Sequence, residues 1–472
     1  MNHHISTLPA TRREFLKLTT GGIGLLAFSN FAPSFLVQSA RASTPRPERD
    51  RTILVLVQLA GGNDGLNTLI PYEDAHYYRL RPTLGIPKDK VLRITDTMGL
   101  HPACAELSAL FKDGKLGIIQ NVGYPNPNRS HFRSTEIWES ATDSDKFVST
   151  GWIGRYLDNT CAGSPELDAA ALGNLAPRPG APPSASANAS ASAAASAAAN
   201  TASPKLVAAN AAASLDPAAI NLGNELPQTY LAARPHSTFS LSPGQPGRLG
   251  GGQQNLEFLE TLVKTSGNAT PRPDASGAHD NNTYLKQTMM DALVTEKRVR
   301  QILAGYKPGA TYPGSTFGQS LRSIAGLIAA NLSTRVYFAS LGSFDTHANQ
   351  AGTHQNLMRS LSEGLSAFQH DLDAHGLADQ VLTMTFSEFG RRPMENESKG
   401  TDHGTAAPLF VMGGKIAGGL HGSAPSLDLE RNQDLAFSTD FRQVYATVLQ
   451  NWFACKTTPD ILGATFKPLG FV

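Results

Sequence analysis

Short apolar runs that end abruptly in glycine or polar loops constrain this chain more than any other feature. TILVLVQLA at 52–60 ends in GGNDG, KLGIIQNVG at 115–123 ends in YPNPNRSHF, and RVYFASL at 335–341 ends in GSFDTH. QVLTMTF at 380–386 ends in SEFGRR, and PLFVMGG at 408–414 continues the set. These runs show no polar alternation, as expected of strands buried on both faces of a parallel sheet. Between them, Leu357, Leu361, Leu365, Phe368 and Leu372 recur at helical spacing. Phe441, Val444, Tyr445, Val448, Leu449 and Trp452 do so near the C-terminus. Strand and helix in alternation predict an α/β fold: a doubly wound, mostly parallel sheet with helices on both faces.

Such a sheet gathers the loops beyond its strand ends on one rim, where ligands bind. Asp64 follows the first run, Arg129, Ser130 and His131 the second, Asp345 and His347 the third, and Glu388 the fourth. Asp402 and His403 are adjacent in GTDHGTA, and His421 stands between glycines in GGLHG. Each tripeptide alone is an ordinary loop. Jointly they place carboxylates and imidazoles on one edge. Neutral imidazole with carboxylate suits zinc, and also manganese or iron, whereas calcium prefers oxygen alone. Crowded carboxylates repel unless cations neutralise them, so one or two divalent ions are expected.

Ser130 falls at a helix start, where unpaired N–H groups and the helix dipole favour an anion. Two roles are open to it: a hydroxyl activated by a divalent metal to attack phosphorus or sulfur, or a simple helix cap. Under the first role Arg129 and Arg133 would be placed to hold ester oxygens, and His131 could act instead as the leaving-group acid.

The N-terminus, TRREFLKLTTGGIGLLAFSNFAPSFLVQSARAS, carries Arg12 and Arg13, an apolar stretch and a cleavage site ending at Ala42. This reads as a removable twin-arginine signal over 1–42, so a periplasmic or secreted protein without a stable membrane anchor is expected, exported by the twin-arginine machinery. Residues 43–472 are expected to form a single domain. An Ala/Ser insertion at about 174–214 interrupts it, as do loop-rich segments at 240–282, where too little apolar surface exists to offset ordering entropy. A net charge of +1 argues against a nucleic-acid partner. Three widely spaced cysteines indicate neither a disulfide framework nor a thiolate zinc site and leave room for one disulfide.

QLAGGNDGLNTLIPY, GYPNPNRSHF, GSFDTHANQ, SEFGRRPMENESKGTDHG and GGLHG together resemble the DUF1501 family of exported bacterial proteins. That family in turn resembles the alkaline phosphatase and sulfatase superfamily, which implies an alkaline-phosphatase-like fold and a metal-dependent hydrolase of phosphate or sulfate esters. The substrate would be a small-molecule or glycan ester. The resemblance implies Ser130 as nucleophile, Asp64, Asp402 and His403 around one metal, and Asp345, His347 and His421 around the other. The sequence departs from the superfamily in the short spacing of FDTH, and Glu388 has no counterpart there. A binding or assembly protein on the same scaffold, with a structural metal or none, is the alternative.

Overall fold

The computed structural model describes residues 51–159, 216–234, 236–242, 295–430 and 432–472. The expected signal segment, the Ala/Ser insertion and most of the 240–282 stretch lie outside the described residues.

The strands are β1 (Ile53–Leu59), β2 (Leu69–Ile70), β3 (Leu92–Arg93), β4 (Gly99–Leu100), β5 (Leu116–Gly123), β6 (Ala219–Leu222), β7 (Thr238–Ser240), β8 (Val336–Leu341), β9 (Val381–Phe386), β10 (Ala407–Met412), β11 (Gly419–His421) and β12 (Thr439–Asp440). The helices used below are α1 (Gly65–Thr68), α2 (Ala75–Leu80), α3 (Ala105–Lys112), α4 (His131–Ser140), α5 (Trp152–Asp158), α6 (Thr316–Ala329), α7 (Gln350–Ala374) and α8 (Phe441–Thr447).

The main sheet has nine strands in the order β11-β5-β10-β9-β1-β8-β6-β7, with β12 also paired to β5. β1 lies at its centre, parallel to β8 and β9. Its side chains alternate between two cores. Ile53, Val55, Val57 and Leu59 face one cluster with Leu107 of α3, Leu321 of α6 and Leu361 of α7. Leu54 and Leu56 face the other, with Trp138 of α4, Trp152 of α5 and Tyr445 of α8. A strand buried on both sides has no polar face to show, which explains the unbroken apolar run. Helices therefore cover both faces, as the sequence predicts.

β10 alone runs against its neighbours, antiparallel to both β9 and β5. The cause is local. No crossover helix separates β9 from β10, so the chain leaves the rim after Phe386 and re-enters the sheet from that same rim at Ala407. Residues preceding β10 thus share an edge with residues following β1, β5, β8 and β9. Among the described residues no helix is long and apolar enough to cross a membrane. Cys104 is a buried free thiol, and Cys455 is disulfide-bonded.

Candidate metal centre

GGNDG follows β1 because the turn passes against another loop. Gly61 has φ +116°, and a Cβ there would lie 2.4 Å from the Asp345 backbone nitrogen. Its N–H donates to Glu388 Oε1 at 2.8 Å. Gly400 allows a similar approach, since a Cβ would come within 2.2 Å of the His347 carbonyl carbon. Glycine at these places lets the loops after β1, β8 and β9 close on one another.

Three side chains meet there. His131, Asp345 and His403 each offer a ligand atom, all within 4.8 Å of one another. His403 Nε2 lies 3.1 Å from Asp345 Oδ1, and His131 Nε2 lies 3.5 Å from Asp345 Oδ2. His347 joins them, its Nε2 being 3.0 Å from Asp345 Oδ1 and 3.0 Å from His403 Nε2.

The other nitrogen of each ring is already committed. His131 Nδ1 faces Glu388 Oε1 at 2.9 Å, His403 Nδ1 faces the Arg129 carbonyl at 2.8 Å, and His347 Nδ1 faces Asp402 Oδ1 at 3.3 Å. All these partners are acceptors, and the tautomer they support, with the proton on each Nδ1, turns each Nε2 lone pair toward the cluster, as metal ligation requires. Oriented imidazoles of this kind, backed by carboxylates or a carbonyl, are the usual support of metal-ligating histidine. His131 Nε2 is buried and lacks a hydrogen-bond partner. The donor set therefore makes this a candidate metal-binding site.

Asp345 is held ionised. Burial raises its pKa, but the hydrogen bond from Arg391, the contact with His403 and the charge of Arg391 prevail and bring it to about 2. Asp402 is also lowered, chiefly by the Asn396 side-chain amide that donates to it at 3.1 Å.

The remaining expected residues divide. Glu388 stands behind His131 and Asp402 behind His347, each as support for a ring. Asp64 does not reach the cluster. Its carboxylate is fully buried, with Oδ2 taking Arg81 Nη1 at 2.5 Å and the Gln350 side-chain amide. Burial raises the Asp64 pKa, yet Arg81 outweighs it and the net shift is downward. His421 is not brought to the rim either. In the β11–β5 register it pairs with Ile119, four residues before Gly123, or about 13 Å below the strand's end. Its Nε2 meets the Ala417 carbonyl at 2.7 Å. The two-metal division implied by the superfamily is thus replaced by one cluster among the described residues, joining Asp345 and His347 with His403.

His131, expected as an acid, has one nitrogen on Glu388 and the other in the cluster. Arg129, expected to hold ester oxygens, pairs with Asp434. Arg133 binds Glu136 at 2.7 Å and lies over the Phe147 ring. Ser130 precedes α4 and is exposed; its hydroxyl does not cap the helix. Sequence reasoning missed Arg391, Asn396 and Arg81. Only Arg391 had a signal, its place beside Glu388 in SEFGRR.

No curated protein matches the chain. Among solved structures it is similar to Ps i-CgsB in complex with k-i-k-neocarrahexaose, at 10% identity and TM-score 0.35, over 88% of this chain and 75% of that one. The phosphonate monoester hydrolase SpPMH from Silicibacter pomeroyi is similar at 10% identity and TM-score 0.28, over 88% and 77% of the two chains. Likenesses at these scores carry no argument about chemistry. The family described as "Protein of unknown function (DUF1501)" matches residues 51–456, a span that contains every side chain of the cluster, and the chain belongs to that family.

Proposed function

We propose that this chain is an exported, metal-dependent hydrolase of phosphate or sulfate esters with Ser130 as nucleophile. One observation carries the reading: three imidazoles have Nδ1 held by an acceptor and Nε2 turned toward a single carboxylate, Asp345. His131, Asp345 and His403 would hold the cation, with His347 as a fourth ligand. A divalent ion there supplies Lewis acidity toward an ester oxygen. Ser130 lies between Arg129, whose carbonyl orients His403, and the ligand His131. No side chain caps α4, so its first N–H groups and its dipole are available to an anionic ester group. In this reading Ser130 Oγ forms the bond to phosphorus or sulfur, the alcohol leaves, and water later releases the acid from the serine. The twin-arginine N-terminus supports export.

The test is elemental analysis of the mature protein, purified without chelator or metal-affinity resin, with aryl phosphate and aryl sulfate turnover. Close to one equivalent of zinc, manganese or iron is expected, reduced in His403→Ala, with turnover abolished by Ser130→Ala. Metal-free protein with an intact fold would overturn the metal site. Bound metal with no turnover of either ester would overturn the hydrolase and favour a binding protein.

A further inference from the structure

We infer that Arg391 is the positioning residue of this site, fixing the Asp345 carboxylate and the surrounding loops before a cation binds. The inference rests on the metal-site reading above. Arg391 is 1% exposed. Its Nη2 donates to Asp345 Oδ1 at 2.6 Å and to the Phe344 carbonyl at 3.0 Å, and also to the Gly61 carbonyl. Its Nε donates to the Gly62 carbonyl at 2.9 Å, and its Nη1 to the Thr401 carbonyl at 2.9 Å. One guanidinium thereby ties the loop after β1, the loop after β8 and the segment just before Asp402. The Arg391 backbone also bridges antiparallel to His403.

Lysine has neither the planar fork nor the donor count to hold these acceptors together. Asp345 is half exposed, and its Oδ1, which Arg391 holds, is the oxygen that faces His347 and His403, while Oδ2 faces His131. Charge and positioning predict opposite effects. A fixed cation beside the ligand repels an incoming divalent ion, so if charge dominated, a neutral substitution would tighten metal binding. If positioning dominates, the same substitution loosens it.

The experiment measures Zn2+ dissociation constants by chelator competition, and Co2+ absorption spectra, for the mature chain and for Arg391→Lys, Arg391→Gln, Asp345→Asn and the Asp345→Asn/Arg391→Lys pair. Both Arg391 variants are expected to lose roughly 10- to 100-fold in affinity, the range for residues that orient metal ligands, with an altered Co2+ spectrum. Adding Arg391→Lys to Asp345→Asn should cost little more, because the two act as a unit. Unchanged or tighter binding in folded variants, or fully additive losses, would overturn the inference. Should the Arg391 variants fail to fold, amide exchange of the metal-free wild type and Asp345→Asn serves instead. Faster exchange at 61–62 and 399–403 in Asp345→Asn is expected, and identical exchange would overturn it. A wild type that binds no cation would defeat the metal-site reading itself.

Discussion

His347 and His403 face each other through Nε2 atoms 3.0 Å apart, and the same two nitrogens lie 3.0 and 3.1 Å from Asp345 Oδ1. With each ring's proton at Nδ1, on Asp402 and on the Arg129 carbonyl, two lone pairs meet there, and a cation between them would relieve their repulsion. Removing the metal should therefore lower the melting temperature, and restoring zinc should raise it. Saturation at a hundredfold excess over the dissociation constant stabilises by about 2.7 kcal/mol. Calorimetry with and without chelator checks this, and identical transitions would count against a native cation.

Ser130→Ala tests the capping role through stability alone. A capping serine loses about 0.5–2 kcal/mol when truncated. Here the hydroxyl makes no cap hydrogen bond, so a change within about 0.5 kcal/mol is expected in urea denaturation. A larger loss would restore the capping role.

Glu139 predicts an unusual pH dependence. It is 6% exposed on α4, and its Oε2 accepts from the Thr229 N–H at 3.2 Å. Burial raises its pKa from 4.5 to about 7, against the opposing hydrogen bonds of the Thr229 and Gln228 backbone. The folded state thus holds this proton where the unfolded chain has lost it. Glu139's contribution is complete below pH 4.5 and declines as pH rises toward 7, by about 3 kcal/mol in all. Glu139→Gln should flatten that slope and be the more stable protein at pH 8. Denaturation at pH 5 and pH 8 decides it.

Arg81 and Asp64 form an ion pair with both side chains fully buried. Arg81 also holds the Pro393 carbonyl at 2.9 Å and the Arg392 carbonyl at 3.1 Å, reaching the loop that carries Glu388 and His403. Arg81→Ala would strand a buried carboxylate and should cost about 3–5 kcal/mol. If Asp64 were instead a ligand to a second cation, the loss would depend on metal concentration; a loss that is the same with and without metal is expected.

The fold was legible because the sheet's centre writes its environment directly into sequence. Ile53 to Leu59 are apolar at nearly every position because both faces are covered. The rim rule then located His131, Asp345, His347 and Glu388. It also found Asp402 and His403, although these precede a reversed strand rather than follow a parallel one. The rule failed for His421, since strand length and register decide how far up the sheet a residue lies, and neither is written in GGLHG. Asp64 stands apart from the cluster for another reason. Its partner Arg81 is only 17 residues away, yet the pair forms through the fold of α1 and α2, which no local pattern announces.

The reversal of β10 also ties the site to long-range pairing. Asp345 and His403 lie 58 residues apart, and His403 leads into a strand that pairs with both β9 and β5. Until that pairing is made, the donors do not converge and an arriving ion finds no pocket. Under the metal-site reading a cation would therefore close on a sheet that is already assembled, unlike the ion of small zinc modules, and the apo chain should be able to reach its native topology.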